Sequence, residues 1–149
     1  MSGRIRVLAL VVVRRGDELL VEDGEDPVKG ERYYRLLGGG VEFGERGADA
    51  VRRELQEEIG TELAGVSYLG AVENLFTFLG EPGHEVCLLY EASFAESALY
   101  ERDGFEGVDM VGGVEVPVRA HWVHARALRD GGLPLYPDGA LELITAKAP

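Results

Sequence analysis

Three glutamates, Glu54, Glu57 and Glu58, stand at i, i+3 and i+4 within the segment Arg52 to Gly60. On a helix that spacing places all three carboxylates on one face. Like charges so placed destabilise a helix by about 0.2–0.5 kcal/mol per pair, so the segment calls for something cationic over it. Hard divalent cations answer that need, because magnesium takes oxygen ligands and is commonly shared between a few carboxylates and the oxygens of a bound phosphate. A Glu triplet alone is more often a solvated acidic face. What overturns that reading lies upstream, where Gly38-Gly39-Gly40 follows an apolar, aromatic run and directly precedes the helix. Glycine carries no Cβ and tolerates positive φ, so such a loop can tighten and bring backbone close to a ligand.

The helix has a second face. Ala48, Val51, Leu55 and Ile59 recur at helical spacing and form an apolar stripe, while Arg53, Glu54, Glu57 and Glu58 occupy the other side. Asp49 suits the positive end of the helix dipole, and Gly60 is a good C-terminal stop, so the limits fall near 46 and 59. On spacing alone, Arg53 is a surface partner of Glu57 at i,i+4, an arrangement worth only tenths of a kcal/mol.

From Gly39 the chain reads G-x5-E-x7-R-E-L-x-E-E-x-G-T. This resembles the signature of the Nudix hydrolase family, G-x5-E-x7-R-E-U-x-E-E-x-G-U with U a bulky aliphatic residue, at Gly39, Glu45, Arg53, Glu54, Leu55, Glu57, Glu58 and Gly60. Thr61 departs from it where an aliphatic residue is usual, with consequences for packing more than for metal binding. Leu37 stands where many members carry proline, an exchange expected to loosen the loop. The resemblance implies an α/β fold of the Nudix type, an α/β/α sandwich around a mixed β-sheet. It implies that Arg53 pairs with Glu45 and joins loop to helix. It also implies Mg²⁺, with Mn²⁺ as a substitute, held by Glu54, Glu57, Glu58 and the backbone carbonyl of Gly38. The proton acceptor is Glu54 in some members and a glutamate from a later loop in others, for which Glu101, Glu106 and Glu115 are the candidates here.

The activity implied is Mg²⁺-dependent cleavage of the pyrophosphate linkage in a nucleoside diphosphate joined to another moiety, X, with a small-molecule nucleotide derivative as partner and homodimer formation left open. ADP-ribose, dinucleoside polyphosphates, nucleotide sugars and oxidised nucleoside triphosphates all present that group. The alternative is a non-catalytic nucleotide-binding or regulatory module on the same fold, against which the intact Glu54, Glu57 and Glu58 count. An acidic calcium-binding domain is weaker still, for the Asp-rich loop of an EF-hand is missing.

Composition narrows the remaining classes. A chain of 149 residues, 46% hydrophobic and without an obvious linker, is expected to form one domain over 1–149. Its formal net charge of −12 opposes unassisted binding to nucleic acid or to an anionic membrane. Cys87 is the only cysteine, so no intrachain disulfide can form, and its apolar neighbours place it in a buried strand. The run Val7 to Val13 is too short to span a bilayer and is not followed by a cleavage site, which points to a cytoplasmic location.

Strands are expected near 5–14, 18–23 and 33–37, the first two as a hairpin, and again over 64–73, 84–93 and 117–124, with Gly80 to Gly83 turning between the first pair of that second set. Asp138 to Ala146 suits a closing helix, and Gly104 to Gly113 reads as a mobile acidic loop. Tyr33, Tyr34, Phe76, Phe78, Trp122 and Tyr136 could include a base-stacking partner, but aromatic residues in or beside strands belong more often to the core. His84, His121 and His124 lack the spacing of a zinc site, though His84 follows a turn from which it could reach the substrate mouth.

Overall fold

The computed structural model describes residues 3–111 and 113–146. In chain order they form β1 (Ile5–Val12), β2 (Arg14–Arg15), β3 (Glu18–Asp26), β4 (Glu31–Arg35), β5 (Leu37–Gly40), α1 (Gly47–Ile59), β6 (Leu63–Phe78) and β7 (Glu81–Phe94). A 3-10 turn (Ser97–Glu101) leads to β8 (Gly104–Val111), β9 (Val114–His124), α2 (Ala125–Arg129), β10 (Leu135–Tyr136) and α3 (Ala140–Ala146). One sheet runs β5-β1-β7-β6 and the other β10-β4-β3-β9-β8, with β2 beside β3. Both are mixed, since β1 runs parallel to β7 but antiparallel to β5, and β10 runs parallel to β4.

Strand alternation builds the layers. Leu8, Leu10 and Val12 of β1 join a core with Cys87, Leu89, Leu128, Ala140 and Ile144, beneath α2 and α3. Ala9, Val11 and Val13 point the other way, into a core with Val51, Leu55, Phe94, Phe105 and Trp122 beneath α1. A strand apolar on both faces must be covered on both, and the result is the expected α/β/α sandwich. The stripe of α1 lies as its spacing requires, with Val51 and Leu55 fully buried. Gly60 ends the helix in the left-handed conformation at φ 64°, and its N–H returns to the Gln56 carbonyl at 3.0 Å.

Three expectations are corrected. The hairpin between the first strands shrinks to β2 and β3, where Arg14 faces Leu19 and Arg15 faces Glu18, because β1 belongs to the other sheet and the chain crosses over at Val13. Gly104 to Val111 is a strand, not a loop: β8 pairs along its length with β9, from Gly104 opposite His121 to Val111 opposite Val114, with Gly113 in the turn between them and Gly112 outside the described residues. Leu37 does not loosen its segment, because it is fully buried and its backbone pairs with Val11.

The reason for a glycine inside β8 is steric. A Cβ on Gly107 would collide with the backbone carbonyl oxygen of Glu58, so only glycine lets this strand lie against the last turn of α1. Gly107→Ala should therefore cost about 1–3 kcal/mol, the usual range for overpacking, and be read as a fall in melting temperature. Gly104→Ala on the same strand, whose Cβ would stop 3.2 Å from the Ala120 carbonyl, should cost clearly less. Equal melting temperatures in the two variants would show that the contact does not constrain the fold.

Candidate active site

The loop between β5 and α1 is closed by one guanidinium. Arg53 donates from Nε to Glu45 Oε2 at 2.8 Å and from Nη2 to Glu45 Oε1 at 2.9 Å, a two-pronged pair. The same Nη2 donates to the Gly40 carbonyl at 3.0 Å, while Nη1 reaches Glu54 Oε1 at 3.0 Å and Glu57 Oε2 at 3.3 Å. Glu45 Oε1 also accepts the Glu42 backbone N–H at 3.1 Å. The Arg53 hydrogen bonds hold the Glu45 carboxyl down at about 2, and those bonds raise the already high pKa of Arg53. Loop and helix are thus joined as the family resemblance implies, through far more than a surface i,i+4 contact.

Facing this network is a group of carboxylates. Glu54 and Glu58 of α1 meet Asp109 of β8, with one oxygen from each lying within 4.8 Å of the others. Glu58 is 3% exposed and its Oε1 has no hydrogen-bond partner. Burial, then the charge of Glu22, then the contact with Glu54 push its carboxyl well above the usual carboxylate range. Glu54 sits against Gly39, whose missing Cβ makes room for its carboxylate. Glu57 does not share this place, for its side chain is 59% exposed and turned to Arg53.

The cluster opens into a cleft of about 710 Å³. Gly38, Gly39, Gly40, Glu54 and Asp109 line one part, Arg4, Arg6, Lys29 and Arg35 supply positive charge, and Tyr33, Phe76, Phe78 and Tyr136 add aromatic surface. Gly38 cannot be replaced freely, because at φ 140° its Cβ would overlap the Ala9 carbonyl oxygen. Of the aromatic residues assigned to the core, Trp122 is buried, whereas Tyr33, Phe76, Phe78 and Tyr136 face the cleft. His84 is not among the lining residues, His121 lies 2.7 Å from Asp23, and His124 stands near Glu18. Glu101, Glu106 and Glu115 are all exposed and none joins the carboxylates. Asp109 takes that place. The signal available for it was the alternation Phe105, Gly107, Asp109, which a strand would aim at one face.

The donor set suits a hard cation. Three carboxylates converge, one buried oxygen among them lacks a donor, and glycine backbone lies alongside. Among the described residues, no helix is long and apolar enough to cross a membrane.

Known proteins resemble this chain in sequence and in fold. Residues 4–130 match the family model described as the NUDIX domain. The chain is 31% identical over 121 residues to the NAD-capped RNA hydrolase NudC of Pseudomonas syringae pv. tomato, covering 81% of this chain and 37% of that protein. It is 40% identical over 68 residues to the NAD-capped RNA hydrolase NudC of Pseudomonas aeruginosa, covering 46% and 24%. It therefore spans between about a quarter and somewhat more than a third of the length of these curated relatives. A MutT NUDIX hydrolase from Burkholderia pseudomallei superposes with a TM-score of 0.61 at 21% identity, over 98% of this chain and 99% of that one. A NUDIX hydrolase from Nitrosomonas europaea gives 0.65 at 17% identity, over 95% and 87%. Identities that low speak for the fold, and the family match over most of the chain speaks for descent: this chain belongs to the Nudix hydrolase family.

Proposed function

We propose that the protein hydrolyses the pyrophosphate linkage of a nucleoside diphosphate joined to a moiety X, using Mg²⁺, with Mn²⁺ able to replace it. The observation that carries this reading is the meeting of Glu54, Glu58 and Asp109 beside a cleft lined with glycine backbone and four basic side chains. Glu54, Glu58 and Asp109 would hold the cation, with the Gly38 carbonyl as a further ligand. Glu57 would join them only by leaving Arg53. A divalent cation bound there would neutralise the diphosphate oxygens and activate a water for attack in line with the scissile P–O bond.

The chain's own groups do the rest. Arg4, Arg6, Lys29 and Arg35 bring positive charge to phosphates in a protein whose net charge is −12. Gly38 to Gly40 let backbone approach the diphosphate, and Tyr33, Phe76, Phe78 and Tyr136 offer surface to the nucleoside or to X. Glu54 is the proton acceptor in this reading, held by Arg53 at Oε1, while Glu45 fixes Arg53 in turn. The overall charge favours a free nucleotide derivative over a polymer. Continuous cores shared by both sheets support one domain over 1–149, and the composition supports a cytoplasmic location.

Incubation of the protein and Mg²⁺ with NAD, ADP-ribose, dinucleoside polyphosphates, nucleotide sugars and oxidised nucleoside triphosphates, followed by product identification, tests the reading. Hydrolysis should stop in EDTA and return with Mg²⁺ or Mn²⁺; full turnover in excess EDTA would refute it. Glu54→Gln and Glu58→Gln should each lower kcat by at least about a hundredfold while leaving the fold intact, and Asp109→Asn by a smaller factor, since one oxyanion-type or ligand contact is commonly worth that much. Near wild-type kcat in the first two at saturating Mg²⁺ would place the chemistry elsewhere.

Mg²⁺ should also raise the melting temperature, because a ligand of the folded state alone stabilises it by RT ln(1 + [L]/Kd), about 2.7 kcal/mol at a hundredfold excess over Kd. Monovalent salt at equal ionic strength screens without coordinating and should reproduce only part of that shift. Equal stabilisation by both salts would remove the case for a coordinated ion.

The Arg53–Glu45 pair has its own pH signature. The Glu45 carboxyl is depressed from 4.5 to about 2, so the stability it contributes is complete above about 4.5 and is lost as pH falls towards 2. Glu45→Gln should flatten the acid side of the melting-temperature profile within that window and leave its slope above pH 5 unchanged. An identical acid slope in wild type and variant would show that the pair contributes nothing to acid sensitivity.

A further inference from the structure

Sheet register sets a fourth carboxylate on the side of the sheet that faces the cluster. Glu22 of β3 stands opposite Ala120 of β9, and Ala120 stands opposite Phe105 of β8. Residues two apart on a strand share a face, so Glu22, Phe105, Gly107 and Asp109 all point to one side of this sheet. Leu20, Phe105 and Ala120 belong to the core beneath α1, which identifies that side as the one facing the helix. Glu58 arrives from α1 at the level of Gly107. A glutamate on a central strand, far in sequence from the family signature, thereby stands on the helix-facing side that also carries Asp109, near enough for its charge to bear on Glu58.

Its two oxygens are treated differently. Glu22 is 9% exposed; Oε1 accepts from Arg35 Nε at 2.7 Å, whereas Oε2 is buried without any partner. Glu58 Oε1 is in the same condition. A buried carboxylate oxygen left without a donor is costly, and here two occur on facing elements. Arg53 is occupied by Glu45, Glu54 and Gly40, and Arg35 reaches only the other oxygen of Glu22. Nearby positive charge from the chain itself is therefore already committed.

We propose that Glu22 is a ligand-bearing member of the divalent-cation site, with Oε2 supplying an oxygen alongside Glu58 and Asp109. The proposal rests on the cation reading given under Proposed function and extends it from the helix to the second sheet. Arg35 then serves as the positioning residue that holds Glu22 by Oε1 and keeps Oε2 directed inward.

Glu22→Gln separates this role from a purely structural one. The amide oxygen still accepts from Arg35, and the flipped amide is disfavoured because it would set donor against donor. The NH2 group then takes the place of Oε2 and donates to the neighbouring carboxylates. Metal-free protein should melt at or above the wild-type temperature, since one of several repelling charges has become a donor. The free-ion signal in electron paramagnetic resonance, measured on the full chain during Mn²⁺ titration, should show at least about tenfold weaker binding, the lower end of what loss of a supporting or ligating group costs. Glu106→Gln, on the solvent-exposed side of β8, should bind Mn²⁺ as the wild type does.

Unchanged Mn²⁺ affinity together with a lower metal-free melting temperature overturns the proposal and leaves Glu22 as the partner of Arg35 alone. Should Glu22→Gln fail to fold, Glu22→Asp keeps the charge but withdraws the oxygen by one methylene, and it too should weaken Mn²⁺; unchanged affinity there is equally decisive against the role. Wild-type protein that binds no Mn²⁺ would defeat both this proposal and the reading beneath it. Wild-type binding with unaltered variants would defeat this one only.

Discussion

The site depends on a single guanidinium. Arg53 is the one group that touches the loop glutamate, the glycine strand and two of the helix glutamates at once, and its planar fork matches the two oxygens of Glu45. A lysine could neutralise charge there but could not bind Glu45 through two prongs while reaching Gly40 and Glu54. Because the Gly40 carbonyl is one of its acceptors, the position of β5 relative to α1 follows from this contact as much as from the apolar stripe. Glu54 inherits its placement: Arg53 holds Oε1, and the bare backbone of Gly39 leaves space for the carboxylate.

Opposite Arg53 the balance of charge reverses. Three carboxylates, from α1 and β8, converge on the buried side, and the cation bonded to one of them, Arg53, is shared with Glu45 and Gly40. Burying unpaired charge is unfavourable, and the carboxyl of Glu58 is pushed well above the usual carboxylate range by that burial and by its acidic neighbours. What permits so tight a convergence is steric. Gly107 brings β8 against the carbonyl of Glu58, two residues from Asp109, and a side chain at that position would collide with the helix backbone. Folding and chemistry here make the same demand on one residue.

The sequence carried the helix, its limits, its buried stripe and the Arg53 to Glu45 pairing because these rest on short-range spacing and on a contiguous motif. Cys87 was also legible as a buried strand thiol, and burial pushes it up to about 12. What was not legible depends on register between distant strands. Asp109 lies in a segment so rich in glycine and acid that it reads as a loop, yet its alternation is that of a strand paired with β9. Glu22 sits in an apolar run where one acid looks like a solvent-facing alternate, and only its position across from Ala120 shows which face it takes. Which aromatic residues face the cleft was not legible for the same reason, since composition does not distinguish a ring in the core from one lining a cavity between two sheets.

That cavity has its own organisation. Its walls come from different sheets, with Glu31 and Tyr33 on one and Phe76, Thr77 and Phe78 on the other, and Lys29 in the turn between β3 and β4. Asp26, 1% exposed, joins them: Oδ1 accepts the N–H groups of Val28 and Lys29 at 2.9 and 3.3 Å, and Oδ2 accepts that of Leu79 at 3.2 Å. Leu79 is a non-glycine residue at φ 53°, a conformation held at the tip of the β6–β7 hairpin where this bond forms. The rings are seated as well, Tyr33 against Gly24 and Phe76 against Gly83, so that neither glycine could carry a side chain without displacing its ring. Pre-ordered aromatic surface of this kind loses little conformational freedom when a planar group binds it. The carboxylate end of the cleft is defined by charge and the far end by the shape of its seated rings.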